Sequence, residues 1–332
     1  MEFRIITIMV PLYAAFSLFL TYMLIFVYAQ IFIGVIYFII SSLFVSALIF
    51  IGYYDPQEHF YEITSNLIDM EKAEIVFDDG VKTIGNFYRA ASETIENSDG
   101  KKIYPNPRPM IIYFHGFQTH KEECEKYLIP LANMGYICFS FDQRGHGEAG
   151  GKKNEYFKNI LDSIAVLDAV CSYEDVRKNS ICCIGSSVGG VSVLTKCYAD
   201  ERVAMVVGIS TLHRIRTILE TKYRFLSIGW VLKRSFKTLI DEEEELKLAP
   251  YYYLKQDREY NKNRVFLIHA KNELIFPPEI TFELNKKHAR IPDDQALLLD
   301  RGRHSFGDME VIILSAIVKW LNKNKKMKLP IE

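Results

Sequence analysis

The stretch "CCIGSSVGG", residues 182–190, decides how the rest of the chain is read. An apolar run breaks abruptly into two serines enclosed by glycines, which is either a loose turn or a sharp elbow. Gly185-Ser186-Ser187-Val188-Gly189 fits the pattern G-x-S-x-G. It lies between strand-like "SICCIG" (180–185) and helix-like "GVSVLTKCYA" (190–199), the strand–turn–helix context that gives the pattern its meaning. Small residues at both ends let the chain turn tightly enough to lift Ser187 onto a strained peak. Its hydroxyl then faces a cleft, with the backbone N–H of Val188 directed into the same space. Ser186, in the x position, is the competing hydroxyl.

Outward from this elbow the chain alternates strand and helix. "AEIVF" (73–77) and "KTIGNFYRA" (82–90) read as a hairpin around Asp78-Asp79-Gly80, and the polar, Pro-bearing stretch 92–109 reads as a loop. The strands that follow are "MIIYF" (110–114), "YICFSF" (136–141), "SICCIG", "VAMVVGIS" (203–210), "RVFLIHA" (264–270) and "ALLLD" (296–300). Helical patterns separate them, including "YFKNILDSIAVLDAV", a helix near 279–289 and a last one near 308–323. Continuous Val/Ile/Leu-rich strands alternating with amphipathic helices predict an α/β fold: a mostly parallel sheet covered on both faces. Function in such sheets gathers at the carboxyl ends of the strands.

A serine hydroxyl becomes a nucleophile only when a base takes its proton, and the base needs an acid to orient it. "LIHAKNELIFP" (267–277) ends one late strand with Glu273 as its only carboxylate, and "LLLDRGRHSF" (297–306) ends the next with His304 in a loop. The candidate catalytic set is therefore Ser187, His304 and Glu273. His115, His146 and His269 are read as structural, and Asp142 and Arg144 as braces for the loop over the sheet. No histidine, cysteine or carboxylate cluster has metal-ligand spacing, and no cofactor or metal is expected.

In the order "YFHGF", "FDQRGHGEAG", "GSSVGG", "IHAKNELIFP", "RGRHSF", the chain resembles the α/β-hydrolase superfamily over about residues 73–325. The nearest likeness is to its monoacylglycerol-lipase and serine-aminopeptidase-like branch. The resemblance implies an oxyanion hole completed by the N–H of Phe117, just after His115-Gly116, alongside that of Val188. Gly185, Gly189, His115 and Gly116 would shape the site. Two positions depart from the pattern. The acid is most often Asp, and here it is Glu273; Glu148-Ala149-Gly150 stands where a serine is common.

The net charge of −1 gives no reason to expect a nucleic-acid partner. Six cysteines (Cys124, Cys138, Cys171, Cys182, Cys183, Cys197) lie in apolar segments without CxxC spacing and suit a reducing compartment. Between Arg4 and Asp55 there is no charged residue, a run over twice the ~20 residues of one membrane span. It predicts a transmembrane helical hairpin over 1–54, with spans at 5–27 and 31–52. The turn falls near Ala29, Gln30 and Gly34, and Tyr28, Tyr53 and Tyr54 sit at the interfaces. A connector (55–72), the hydrolase domain (73–325) and a tail (326–332) follow. Residues 211–262 form an insert in the slot of a helical cap. Within it, 213–237 carries seven Arg/Lys and one Glu among aromatic and aliphatic residues, among them Arg214, Arg216, Lys233 and Arg234. That composition suits an interfacial helix or a solvated lid balanced by "DEEEE" (241–245). These features together predict a multi-pass membrane protein with its catalytic body facing the cytoplasm. Its expected substrates are small-molecule or lipid-like carboxylic esters or thioesters. The alternatives are an aminopeptidase-like amide hydrolase and a non-catalytic membrane scaffold.

Overall fold

The computed structural model describes residues 11–23, 31–53, 66–117, 119–153, 155–217, 242–304 and 306–330. The chain divides into two compact units, Met1–Glu58 and His59–Glu332.

In the first unit, residues 11–23 are helical and a second helix, α1, spans Ile31–Tyr53. The Tyr13 and Phe44 rings meet at 5.2 Å. The expectation of a membrane-spanning hairpin, and the multi-pass location built on it, is corrected here. Among the described residues no helix is long and apolar enough to cross a membrane. An uncharged run measures composition, which alone does not make a membrane span. The turn residues Ala29 and Gln30, together with Tyr28, Tyr54 and residues 55–65 of the connector, lie outside the described residues. So do 218–241 of the insert, including Lys233 and Arg234.

The second unit is built on an eight-stranded sheet. Its strands are β1 (Ile68–Val76), β2 (Lys82–Ala90), β5 (Arg108–Phe114), β6 (Ile137–Phe141), β7 (Val176–Ser186), β8 (Val203–Ile209), β9 (Val265–Ala270) and β10 (Ala296–Leu299). The spatial order is β1-β2-β6-β5-β7-β8-β9-β10. Only β2 runs against the rest, pairing antiparallel with both β1 and β6. All other pairings are parallel. Every residue of β5, β6, β8 and β9 is buried, as expected where helices cover both faces. Successive residues serve opposite cores. Ile111 and Tyr88 join the layer of Leu128, Ile313 and Trp320, while Ile112 and Phe87 join that of Leu167, Val193 and Phe282.

Two features differ from expectation. The stretch 92–109 is not all loop: β3 (Ile95–Glu96) and β4 (Lys102–Ile103) pair as a small hairpin. Asn97 Oδ1 closes it by accepting the N–H groups of Asp99 and Lys101 at 3.0 and 2.9 Å. Pro109 also lies inside the central strand β5, where a missing N–H is normally excluded. The register shift between Arg108 and Met110 accommodates it.

The topology selects the site. From β5 the chain moves outward to β6, then crosses back to β7 on β5's other side. The loops after β5 and β7 thus diverge at a switch point at the carboxyl edge, where such sheets bind ligands.

Candidate active site

Strand β7 delivers Ser187 to that edge. The serine precedes α2 (Val188–Ser192) with φ 53° and ψ −118°, a conformation that costs a non-glycine residue about 1–3 kcal/mol. The turn is held from three sides. Ser187 N–H donates to the Ile209 carbonyl at 2.9 Å, at the end of β8. A Cβ on Gly185 would lie 2.5 Å from the Gly189 carbonyl oxygen, so the incoming and outgoing backbones touch. A Cβ on Gly189 would overlap the carbonyl oxygens of Phe114 and His115, so the elbow is also seated against the end of β5. Gly116 continues this contact, with a Cβ position 3.4 Å from Ser187 Cβ.

The structure brings Ser187, His304 and Glu273 into one hydrogen-bonded chain. Ser187 Oγ is 3.0 Å from His304 Nε2, and His304 Nδ1 is 2.8 Å from Glu273 Oε2. An ionised carboxylate only accepts, so Nδ1 carries the proton and Nε2 faces the serine with its lone pair. Glu273 is 3 % exposed. Burial works against its charge. The imidazole hydrogen bond and the N–H groups of Ile275 and Phe276 outweigh that, holding the carboxyl below its ordinary value. Those two amides reach Oε1 at 2.6 and 3.2 Å. The loop bearing Glu273 is itself tied down, because His269 Nε2 donates to the Phe276 carbonyl at 2.8 Å. The Phe276 ring meets the His304 ring edge-on at 5.1 Å.

Ser186 Oγ lies 3.6 Å from the position of a Cβ on Gly116. The histidines read as structural are engaged elsewhere. His115 is buried, and burial pushes its imidazole down to about 4. It is therefore neutral near pH 7, accepting the Gln143 N–H on Nε2 at 2.9 Å and donating from Nδ1 to the Gly116 carbonyl at 2.7 Å. Arg144 grips Asp162 and Asp79 with paired bonds of 2.7–2.9 Å. Asp142, fully buried, accepts the backbone N–H of Glu148 at 2.9 Å.

Of the two candidate oxyanion donors, Val188 is the first residue of α2, so its N–H has no acceptor within that helix. Phe117 lies on the loop that Gly116 packs against Ser187. Its side chain is 49 % exposed and meets the His146 ring edge-on at 5.5 Å. The described part of the insert adds an apolar cluster beside the elbow. Leu212 and Leu248 pack with Val191 of α2 and Ile160, flanked by Tyr156, Phe157 and Phe276.

Sequence reasoning missed three residues that hold the site. Ser210, at the end of β8, reaches Glu273 Oε2 at 3.4 Å. Asn272 accepts the Arg303 N–H at 3.0 Å, pinning the histidine loop to the glutamate loop. Lys121 is buried although it sits in a run that reads as a solvated helix start. The only signal for Ser210 was a polar residue closing an all-apolar strand. For the other two there was none.

Comparison with known proteins agrees with this architecture. The family described as serine aminopeptidase, S33, matches residues 105–268. A putative hydrolase, YtaP, of Bacillus subtilis is 25% identical over 142 residues, 36% of this chain and 48% of that protein. The 2,6-dihydropseudooxynicotine hydrolase of Paenarthrobacter nicotinovorans is 27% identical over 103 residues, 31% of this chain and 28% of that one. The chain thus spans about half the length, or less, of these curated relatives. Among solved structures, Est1E from Butyrivibrio proteoclasticus with ferulic acid bound superposes with a TM-score of 0.56 at 17% identity, over 76% of this chain and 98% of that one. The Pyrococcus furiosus esterase Pf2001 gives a TM-score of 0.56 at 21% identity, over 80% and 96%. With the switch-point topology and the serine elbow, these likenesses show the α/β-hydrolase fold and a similarity to serine aminopeptidases and esterases built on it.

Proposed function

We propose that the protein hydrolyses carboxylic esters of small molecules through a Ser187–His304–Glu273 triad. The observation that carries this reading is the continuous chain from Ser187 Oγ through both imidazole nitrogens to a buried carboxylate, at 3.0 and 2.8 Å. Ser187 Oγ attacks the ester carbonyl as His304 Nε2 takes its proton. Glu273 holds the tautomer that makes this possible and stabilises the imidazolium that forms. The carbonyl oxygen becomes an anion held by the N–H groups of Phe117 and Val188. His304 then returns the proton to the departing alcohol, leaving an acyl-Ser187. Water, activated by the same nitrogen, releases the acid. The apolar cluster of Leu212, Leu248, Phe157 and Phe276 beside α2 favours an acid portion with hydrophobic or aromatic character.

The test is turnover of p-nitrophenyl esters of increasing acyl length, alongside aminoacyl p-nitroanilides, by the full chain. Ester hydrolysis lost in Ser187→Ala and kept in Ser186→Ala is expected. Faster cleavage of the anilides would instead favour an aminopeptidase-like activity, and turnover surviving Ser187→Ala would remove the nucleophile assignment.

A further inference from the structure

We propose that Lys121 is a positioning residue for the oxyanion donor at Phe117, acting through a buried ion-pair brace with Asp142 and Glu148; this rests on the ester hydrolysis proposed above. The brace stands on geometry. The Lys121 side chain is 2% exposed and that of Asp142 0%. Lys121 Nζ lies 2.8 Å from Asp142 Oδ2, 2.5 Å from Glu148 Oε2 and 3.0 Å from Glu122 Oε1. Its backbone N–H also donates to Asp142 Oδ1 at 2.9 Å, so Asp142 holds both the main chain and the side chain of one residue.

The opposite end of the same loop is held by the next residue along. Gln143 N–H donates to His115 Nε2 at 2.9 Å, and the Gln143 side-chain amide donates to the His115 carbonyl. Residues 115–121 are thus pinned at both ends to consecutive residues that follow β6. Between the pins, Thr119 Oγ1 donates to the Gly116 carbonyl at 3.0 Å. Phe117, half exposed, lies between the two pins, so its N–H sits where they hold the loop. A donor serves the transition state only if it is already in place, and a misplacement of about 1 Å can cost about a hundredfold in rate.

A neutral side chain could fill the same space without the desolvation that a buried ammonium demands. What the ion pair adds is direction. Three carboxylates converge on one nitrogen, and two of them, Asp142 and Glu148, belong to the neighbouring loop. Glu148 is also where the sequence departs from its superfamily by lacking a serine, and the brace gives that departure a role.

The test compares Lys121→Met, Lys121→Arg and Glu148→Gln with wild type in the full chain. Lys121→Met is expected to lower kcat for a p-nitrophenyl ester about ten- to a hundredfold, with KM within about twofold. Affinity for an alkylboronic acid, whose tetrahedral adduct on Ser187 places an anionic oxygen in the hole, should fall by a similar factor. Lys121→Arg should restore most of both. Glu148→Gln removes a half-exposed partner and should cost about threefold in kcat, with the fold intact. Unchanged kcat and boronic-acid affinity in Lys121→Met, even with a lower Tm, would overturn the proposal and leave a purely structural ion pair. If Lys121→Met does not fold, Glu148→Gln decides, and an unchanged kcat there overturns it. Failure of wild-type Ser187 to react with a fluorophosphonate would overturn the ester-hydrolase reading itself, which is a separate outcome.

Discussion

Replacing Glu273 by Gln changes one carboxylate oxygen into an NH₂ group and little else. In the native arrangement both oxygens accept, Oε2 from His304 Nδ1–H and Oε1 from the amides of Ile275 and Phe276. The amide can be placed two ways. If its NH₂ faces the two backbone donors, both lose their acceptor, at about 1–3 kcal/mol each. If its NH₂ faces His304, the imidazole escapes the clash by moving its proton to Nε2, which costs less. The second arrangement wins, and it points an N–H at Ser187 where a lone pair is needed. The base is then in the wrong tautomer, a fault that costs an equivalent triad about 10⁴-fold in kcat. We therefore expect Glu273→Gln to lower kcat by roughly 10³- to 10⁴-fold, about 4–5.5 kcal/mol of transition-state stabilisation. KM and Tm should stay close to wild type. Steady-state hydrolysis of p-nitrophenyl butyrate, with Ser187→Ala as the floor, measures it. Glu273→Asp, which withdraws the carboxylate by about 1.5 Å, should fall between the two. A loss below tenfold in Glu273→Gln would refute the reasoning, because the carboxylate would then not be setting the tautomer.

Three further expectations concern the scaffold. Gly189→Ala forces a methyl into the carbonyl oxygens of Phe114 and His115, so it should remove activity and lower Tm together; an active, stable variant would contradict the elbow geometry. Arg89→Met strands Asp175, fully buried, which now accepts from Arg89 Nε at 2.7 Å. Urea unfolding should show about 3–5 kcal/mol lost, with kcat per folded molecule unchanged. The third expectation is a pH dependence of stability. His115 sits at about 4 when folded against ~6.5 unfolded, so as pH falls the unfolded state takes up the proton first. Its contribution, up to about 3 kcal/mol, is complete above ~6.5 and drains away towards pH 4. His146, His213 and His269 are displaced the same way by burial, whereas Glu273, lowered, gives up its share only below ~4.3. Urea midpoints should fall between pH 7.5 and 5, and less steeply in His115→Gln; a flat profile would contradict the burial argument.

Much of the fold was legible because its central strands are buried on both faces and so read as unbroken apolar runs. Where a different force governs, the sequence misleads. Pro105, Pro107 and Pro109 argue for loop throughout, yet a bulge lets Pro109 into β5 and an asparagine-closed turn makes a hairpin before it. The uncharged run before Asp55 argued for membrane spans, which no helix among the described residues bears out. In the site, Ser187, Glu273 and His304 could be picked out because each ends or follows a strand in an order that folds them to one edge. Lys121 could not. It lies among Glu122, Glu123 and Glu125 like any solvated helix start, and only the folded sheet brings Asp142 and Glu148 around it. Ser210 and Asn272 escaped for the same reason, since their partners are distant in the chain.

The central claim is that Ser187 is an activated nucleophile, and covalent labelling tests it most directly. The full chain would be treated with a fluorophosphonate and digested, and the modified residue located by mass spectrometry, with His304→Ala as the control for activation. The account predicts rapid single-site modification at Ser187 in wild type and its near absence in His304→Ala. Modification at Ser186, or equal labelling of Ser187 with and without His304, would contradict it.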